Sequence, residues 1–399
     1  MSVKDIECTI QKYIENKDIP CGILQVRKNG ETVYLNKWGY SDISAKKGIE
    51  FSDVFRMMSM TKPVTAVAVM KLVERGKIEL DDAVSKYISS FADMRVVDDK
   101  RFVFKEKMNP VTTIGKLLLF NHIKPKTVRA ERQISIRDLL SHTSGLEQGV
   151  WGYMSMLRSK DIRTAPEAVA EKYSRYCLDW QPGSQTSYSA LAGFDVLVRI
   201  IEVVSGMSAA EFFEEEIFGP LDMKDSSFSP DHHNGRLVHL YKHKKNGLKD
   251  VTGAKADVNG AVKCTDGYVC GSGGLYSTLA DYGNFIQMLA DNGRFKGAQF
   301  MKSETVELIR TEAPAIHLEP EPGMVWGLGV RIRQDGVKGS FNATPGTYGW
   351  SGAFGTHFFI SPEDKLDAIW LTNLSNAGGS GSPVSRKIET LIFDTFKEE

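Results

Sequence analysis

Alternating apolar and polar positions near the two ends of the chain predict β-structure. Residues 23–26 and 32–35 are two apolar-rich runs on either side of Asn29-Gly30, a dipeptide typical of two-residue β-turns. They predict a hairpin over residues 22–38. Residues 355–360 and 366–371 form a second such pair around a Pro-Glu-Asp turn and predict two more paired strands.

Between these strands the spacing of apolar residues becomes helical. Residues 60–75 are apolar on nearly every side and predict a buried helix, with Pro63 in its first turn and Gly76 at its end. Further helices are predicted at 135–140, 190–204, 209–218, 279–289 and 385–396.

This order of elements predicts the domain organisation. Strands at both ends with helices between them indicate one composite sheet domain interrupted by a helical one. We expect residues 1–85 and 231–399 to form a discontinuous α/β sheet domain and residues 86–230 a mainly helical subdomain. The fold class is therefore α+β.

Composition excludes some classes of function. The 399 residues contain 50 Lys+Arg and 50 Asp+Glu, and this zero net charge argues against nucleic acid as a partner. No apolar run approaches the ~18 residues of a membrane span, so no membrane association is expected. The N-terminus lacks a secretory pattern, and the five scattered cysteines favour reduced thiols, with a Cys264–Cys270 bridge as the alternative. Together these observations predict a cytoplasmic protein.

Three segments contain residues suited to acyl-transfer chemistry. Ser59-Met60-Thr61-Lys62 begins the buried helix, and its spacing places the Lys62 amine within reach of the Ser59 hydroxyl. Tyr188 precedes another helix and supplies a phenol that can share protons with Ser59. A glycine-rich segment that starts at residue 349 leads into a strand, where the N–H of Ala353, with that of Ser59, can form an oxyanion hole. Taken singly, each segment also fits an ordinary structural role.

In combination the three segments resemble the ordered motifs of the serine β-lactamase and penicillin-binding protein superfamily. The motifs are Ser59-x-x-Lys62, Tyr188-Ser189-Ala190 and Trp350-Ser351-Gly352. Their separations, together with matching segments at 137–146, 218–223 and 273–278, are similar to the class C-like branch. The resemblance runs from about residue 22 to the end of the chain. It implies a β-lactamase/transpeptidase-like fold, an antiparallel sheet flanked by helices plus a helical subdomain, with the site in the cleft between them.

Two departures from the family pattern favour one subfamily. The second motif of β-lactamases and peptidases usually ends in Asn, where this chain has Ala190, and the third usually begins with Lys or His, where it has Trp350. Loss of one polar anchor costs about 1–3 kcal/mol of substrate binding. The Trp-x-Gly pattern is similar to family VIII carboxylesterases. The resemblance therefore implies a serine carboxylesterase that acts on small-molecule esters through an acyl-enzyme on Ser59.

Several alternatives stay open on the sequence. Either Lys62 or Tyr188 could be the general base. A β-lactamase, a D-amino-acid peptidase or amidase, an acyltransferase to a small alcohol, and a non-catalytic ligand-binding homologue are the competing functions. Both a monomer and a dimer fit.

The remaining predictions concern the borders of the site. Trp350, Ser351 and Gly352 are expected to bind substrate, and Trp151 and Tyr153, with Met154, to form an apolar wall. We expect His142 to be structural rather than catalytic. No nucleotide-binding motif occurs, and the histidines between 232 and 243 suit a polar loop better than a zinc site, so no cofactor and no metal are expected.

Overall fold

An eight-stranded antiparallel sheet joins the two ends of the chain. The computed structural model describes residues 1–102, 124–149, 151–152, 165–233, 235–245, 247–253, 268–313, 323–334, 342–379 and 382–397. The sheet consists of β1 (Cys21–Lys28), β2 (Glu31–Asp42), β3 (Lys47–Gly48), β12 (Met324–Trp326), β13 (Arg331–Arg333), β14 (Tyr348–Ser351), β15 (His357–Ser361) and β16 (Leu366–Leu371). Its strand order is β12-β13-β14-β15-β16-β1-β2-β3, so N-terminal and C-terminal segments share one sheet.

Smaller sheets lie outside this one. They consist of β4 (Phe55–Arg56) with β9 (Tyr276–Ser277), β5 (Arg95–Val97) with β6 (Thr127–Arg129), β7 (Tyr241–Lys244) with β8 (Gly247–Asp250), and β10 (Arg294–Phe295) with β11 (Ala298–Gln299). The β4–β9 pair connects the segment before Ser59 to the segment that follows residue 268. This pairing helps to place both segments at the site.

The predicted hairpin and strand pair are confirmed, and they are neighbours. Strands β1 and β2 form the hairpin across Asn29-Gly30, and β1 also pairs with β16, where Ile23 lies opposite Leu371. At Gly22 a Cβ atom would lie 2.0 Å from the ring of Trp370. Glycine is therefore required for this close approach between the two ends of the chain.

The described helices cover both faces of the sheet and form a separate group beside it. They are α1 (Val3–Glu15), α2 (Thr61–Glu74), α3 (Ile136–Leu140), α4 (Pro166–Ser174), α5 (Ala192–Ser205), α6 (Ala209–Phe213), α7 (Leu279–Ala290), α8 (Ser303–Ile309) and α9 (Pro383–Phe396). The helix predicted at 209–218 is shorter than expected, because α6 ends at Phe213 and residues Glu214–Phe218 continue as a π-helical turn.

Alternation along β16 explains how the two faces are covered. Ile369 and Leu371 belong to the larger core, which includes α2 and α7. Ala368 and Trp370 belong to a second core under α1 and α9. Because successive side chains of a strand point to opposite faces, one apolar strand supplies both cores.

Helix α2 lies in the middle of the larger core. Its residues from Thr61 to Met70 are all buried, as its apolar sequence predicts. It packs against α5, the helix that follows Tyr188, and against α8. This packing positions the Ser59 and Tyr188 segments side by side.

Four cysteines are free thiols in the part of the chain that the structure describes: Cys8, Cys21, Cys177 and Cys270. Cys264 lies outside the described residues, so the alternative bridge stays untested. Among the described residues, no helix is both long enough and apolar enough to span a membrane.

Candidate active site

Ser59 lies on a tight turn at the start of α2. A 3-10 turn over Met58–Met60 precedes the helix, and Met58 has a φ of 50°, which is unusual for a non-glycine residue. The Thr61 hydroxyl donates to the Met58 carbonyl at 2.6 Å and accepts from the Leu275 N–H at 3.0 Å. These bonds hold a strained turn whose central side chain, Ser59, is partly exposed.

Lys62 is fully buried behind Ser59. Its Nζ donates to the backbone carbonyls of Ala190 and Ser272, both at 2.7 Å, and lies 3.5 Å from Ser59 Oγ. Nζ also lies 4.9 Å from the centre of the Tyr188 ring. Carbonyl oxygens and an aromatic face both favour a positive charge, so this pocket suits an ammonium group.

Tyr188 is the nearest polar side chain to the Ser59 hydroxyl among the described residues. Its phenol oxygen lies 2.6 Å from Ser59 Oγ, clearly closer than the Lys62 amine. A distance of 2.6 Å allows direct proton transfer between the two oxygens. The three residues predicted to be catalytic therefore meet at one point.

The loop that carries Tyr188 is bonded on both sides of that residue. His142 accepts the Ser189 N–H on its Nδ1 at 3.1 Å, and its carbonyl accepts the Ser187 N–H at 3.2 Å. The Thr186 hydroxyl donates to the same carbonyl at 2.9 Å. His142 thus positions the Tyr188 backbone, which agrees with the structural role expected for it.

The protonation state of His142 follows from its surroundings. Burial, with the nearby charge of Lys62, holds the pKa of His142 well below its ordinary value of 6.5. The ring is therefore neutral at pH 7. Since Nδ1 accepts a hydrogen bond, the proton is on Nε2.

The N-terminal end of α5 is fixed by a buried carboxylate. One Glu147 oxygen accepts the N–H groups of Leu191 at 3.1 Å and Ala192 at 2.8 Å. These N–H groups would otherwise be unsatisfied at the start of the helix. Glu147 therefore fixes the helix that begins just after Tyr188.

The third motif contributes an aromatic wall beside Tyr188. The Trp350 ring on β14 is centred 5.1 Å from the Tyr188 ring and 4.6 Å from the ring of Trp326 on β12. Trp326 in turn stacks on Tyr188 at 5.7 Å. One side of the phenol is therefore lined by two indoles.

Gly352 explains how this strand approaches the nucleophile. A Cβ atom there would lie 2.3 Å from the Met57 carbonyl oxygen and 2.2 Å from Thr356 Oγ1. Only glycine allows this contact with the segment before Ser59. The next residue, Ala353, is exposed, and its oxyanion-hole role stays a prediction.

Ser351 takes part in a buried polar chain. Its Oγ lies 2.7 Å from His357 Nδ1, and His357 Nε2 lies 3.2 Å from Glu389 on α9. Arg331 on β13 lies 3.8 Å from the same carboxylate. Ser351 is buried and its hydroxyl bonds to His357, and its predicted substrate-binding role stays a prediction.

The predicted apolar wall is described only in part. Trp151 is partly exposed and contacts Phe102 edge-on, with ring centres 5.6 Å apart. Tyr153 and Met154 lie outside the described residues, so their prediction stays untested. Within the described ranges, no cluster of three or more His, Cys, Asp or Glu residues could hold a metal ion.

Sequence reasoning did not single out several residues that shape this site. Trp326, Ser272, Glu147 and His357 come from separate parts of the chain. No local motif marks Trp326 or Ser272, because only chain folding brings them near Lys62 and Tyr188. Glu147 carries one local feature, a φ of 57°, which a sequence does not display.

The chain is similar to known proteins over nearly its whole length. The beta-lactamase family model matches residues 6–388. Protein Rv1367c of Mycobacterium tuberculosis is 28% identical over 388 residues, which cover 93% of this chain and 90% of that protein. Esterase EstB of Burkholderia gladioli is 24% identical, with 94% of this chain and 91% of that protein covered.

Among solved structures, the fold is similar to that of EstCE1, described as a hydrolase with promiscuous acyltransferase activity. The TM-score is 0.75 at 22% identity, over 99% of this chain and 98% of that one. The chain belongs to the beta-lactamase family. The resemblance and the fold class expected from the sequence are thereby confirmed, and the chain is a member of a serine hydrolase superfamily.

Proposed function

We propose that the protein is a serine carboxylesterase that cleaves small carboxylic esters through an acyl-enzyme on Ser59. The observation that carries the proposal is the 2.6 Å contact between Ser59 Oγ and the Tyr188 phenol, beside a Lys62 amine held by two carbonyls. Similarity to an esterase over most of both chains supports it. A small-molecule ester is the partner, and the cycle needs no metal or cofactor.

The proposed cycle begins with attack of Ser59 Oγ on the ester carbonyl carbon. In this cycle Tyr188 acts as a phenolate that the Lys62 ammonium stabilises. The Ser59 proton passes to the phenolate oxygen. The N–H groups of Ser59 and Ala353 bind the oxyanion. Tyr188 then returns the proton to the departing alkoxide, and the acyl group stays on Ser59. Water attacks this ester with Tyr188 again accepting the proton. Tyr188 then passes that proton to the Ser59 oxygen as the carboxylic acid leaves, which restores the free enzyme.

Tyr188 is favoured over Lys62 as the general base. Its oxygen is 0.9 Å closer to Ser59 Oγ than the Lys62 amine is. Two carbonyl oxygens at 2.7 Å take up N–H donors of Lys62 and suit its charged form. Lys62 is therefore assigned the role of a fixed positive charge.

An ester substrate is favoured over a β-lactam or a D-alanyl peptide because two polar anchors are replaced. Ala190 has no side-chain amide, and its carbonyl binds Lys62. Trp350 offers an indole where the family usually has a cation, and it lies against Trp326 and Tyr188. This wall suits an apolar acyl or alcohol group rather than a carboxylate.

The first experiment compares a nitrophenyl acetate with a chromogenic cephalosporin, using wild type, Ser59→Ala and the exposed-serine control Ser52→Ala. We expect fast ester turnover, little lactam turnover, at least about a thousandfold loss in Ser59→Ala, and no loss in the control. Near wild-type ester turnover by Ser59→Ala would overturn the nucleophile assignment. Lactam turnover equal to ester turnover would overturn the substrate class.

Acyl transfer to a small alcohol is the second candidate function. EstCE1, a structural neighbour, is described as having promiscuous acyltransferase activity. Both reactions share the acyl-enzyme and differ only in the acceptor. Adding a primary alcohol during ester turnover and measuring the ratio of new ester to free acid separates them, since a hydrolase yields mainly acid.

A further inference from the structure

The loop between β14 and β15, residues 352–356, carries Ala353, one of the two predicted oxyanion donors. The other predicted donor, Ser59, lies in the 3-10 turn before α2, far away in the chain. Two N–H groups stabilise an oxyanion only when both point at the position of the same oxygen. The loop must therefore be held at a fixed distance from the turn that carries the nucleophile.

Thr356 bonds to both of these segments. It is fully buried, and its hydroxyl donates to the Met57 carbonyl at 3.1 Å. Its own backbone carbonyl accepts the Gly352 N–H at 2.7 Å. Gly352 directly precedes Ala353, and Met57 lies two residues before Ser59. One residue thus connects the two segments that carry the predicted donors.

The Met57 carbonyl is the point at which the two segments meet. It also accepts the Met60 N–H at 3.2 Å, across the turn that carries Ser59. A carbonyl oxygen has two lone pairs and can accept from both groups. A Cβ atom at Gly352 would lie 2.2 Å from Thr356 Oγ1 and 2.3 Å from the Met57 oxygen. The Thr356 hydroxyl therefore occupies the space that a side chain at residue 352 would need.

Apolar packing also attaches the loop to the nucleophile turn. Phe354 belongs to the same small buried cluster as Met58 and Leu240. Such packing keeps the loop close to the turn but does not orient a peptide group, because the hydrophobic effect is non-directional. The two hydrogen bonds of Thr356 are directional and act on the residue just before Ala353.

We propose that Thr356 is a positioning residue that fixes the loop of Ala353 against the turn of Ser59 and so sets the spacing of the two oxyanion donors. The proposal rests on the Ser59 acyl-enzyme function proposed above. Loss of the hydroxyl leaves the apolar packing of Phe354 in place but removes the bond to the Met57 carbonyl. The effect is therefore on stabilisation of the tetrahedral intermediate rather than on folding of the loop.

Thr356→Val is the sharpest test, because it keeps the shape of the side chain and removes the hydroxyl, whereas Thr356→Ser keeps the hydroxyl. Thr390→Val is the control, because Thr390 on α9 makes the same kind of bond, to the Arg386 carbonyl at 2.9 Å. Removing an oxyanion donor costs about 10²–10³ in kcat, and displacing one should cost less.

We expect kcat/KM for nitrophenyl acetate to fall about 10–100-fold in Thr356→Val. Thr356→Ser should recover most of the loss, and Thr390→Val should stay within about twofold of wild type. Equal losses in the Val and Ser variants of Thr356 would overturn the role of the hydroxyl. A loss below about twofold in Thr356→Val would overturn the proposal as a whole.

A trifluoromethyl ketone tests the oxyanion directly. Ser59 Oγ bonds to its carbonyl carbon, the Ser59 proton passes to Tyr188, and the carbonyl electron pair moves to the oxygen, which becomes the oxyanion. The inhibition constant should rise in Thr356→Val by about the factor by which kcat/KM falls. Slower turnover with unchanged inhibition by the ketone would contradict the proposal.

Labelling of Ser59 with a fluorophosphonate measures the fraction of active molecules. Thr356→Val should still take up one label per chain, because every molecule is folded and only the rate is lower. A labelled fraction that falls in step with the activity would show loss of folded protein and would overturn the positioning role.

Fluorine NMR of the bound ketone separates this proposal from the proposed function, because it needs no turnover. Wild type that forms the adduct but cleaves no ester would refute the esterase function. Weaker adduct formation in Thr356→Val would still support the positioning role in that case. Equal adduct formation in the two proteins would overturn the positioning role even if the esterase function holds.

Discussion

Ser59 and Tyr188 are 129 residues apart in the chain, and their side-chain oxygens are 2.6 Å apart in the fold. Lys62 reaches the same point from one helical turn away, as its spacing predicts. The contact of Ser59 with Tyr188 and its contact with Lys62 have different origins. The first depends on α2 and α5 packing together, whereas the second is local to α2. At the residue scale, the site is therefore a local pair completed by one long-range partner.

Removing the Tyr188 hydroxyl should abolish most of the activity without loss of binding. In Tyr188→Phe, we expect kcat for nitrophenyl acetate to fall about 10²–10⁴-fold, since that is the usual contribution of a positioned acid–base group. KM should change little. Steady-state kinetics with Tyr40→Phe as an exposed-tyrosine control check this, and a variant with more than half of the wild-type kcat would exclude Tyr188 as the base.

His142 should make the protein sensitive to acid. Its pKa is well below 6.5 in the folded protein, whereas the unfolded chain takes up a proton near 6.5. Stability from this group is therefore present above pH 6.5 and is lost as the pH falls below it, by up to about 1.4 kcal/mol per pH unit. Urea unfolding at pH 7.5, 6 and 5 should show a smaller decrease for His142→Asn than for wild type. Parallel decreases in the two proteins would contradict this.

At the scale of elements, strands β13, β14 and β15 and helix α9 meet at one buried polar chain. Ser351, His357, Glu389 and Arg331 each come from a different one of these elements. Burial raises the pKa of Glu389, but the hydrogen bond from His357 and the charges of Arg331 and Arg333 outweigh it, so the net shift is downward. The carboxylate thus links α9 to the strand that carries Trp350.

Removing that carboxylate should destabilise the fold. Glu389→Leu leaves buried cationic groups without this counter-charge, and losses of about 3–5 kcal/mol are typical of such changes. The contribution is present above the ordinary pKa of Glu and is lost as the pH falls below it. Urea unfolding at pH 7 measures the loss. Glu307→Leu, which removes an exposed partner of Arg310, should cost at most about 1 kcal/mol. Equal losses at the two sites would show that the buried chain adds nothing.

At the scale of the whole molecule, Gly329 lies between β12 and β13, where the sheet meets helices α2, α3 and α5. Its N–H donates to the Leu140 carbonyl of α3 at 2.8 Å. A Cβ atom there would lie 2.8 Å from the Ala66 side chain of α2 and 3.4 Å from Phe194 of α5. One glycine therefore contacts α2, α3 and α5.

Gly329→Ala should destabilise the protein where α2, α3 and α5 meet the sheet. Overpacking of this kind costs about 1–3 kcal/mol beyond any backbone strain. Gly206→Ala is a matched control, because Gly206 also has a positive φ but a Cβ atom there would have no neighbouring atom within 4 Å. Urea unfolding followed by near-UV circular dichroism and by hydrogen exchange in α5 should give coincident transitions for each protein. Separate transitions would show that α5 unfolds independently of the rest of the protein.

The sequence by itself determined most of the secondary-structure elements and the reactive side chains of the candidate site. Turn residues at Asn29-Gly30, the alternation in β1 and β16 and the wholly apolar helix α2 are local signals, because they depend on backbone geometry and on burial of the same residues. The order of Ser59-x-x-Lys62, Tyr188 and Trp350 was enough to identify the family. Element ends were less certain, as the early end of α6 at Phe213 shows.

Only the tertiary structure decided which residues meet. Three features depend on contacts between distant segments: Tyr188 as the closer partner of Ser59, the Trp326 wall and the neutral state of His142. Such contacts leave no periodic or local pattern, because the side chains that meet are brought together by packing of helices and strands. Differences of less than one ångström between distances, and the burial of individual charges, set the chemistry of the site. Both follow from that packing alone.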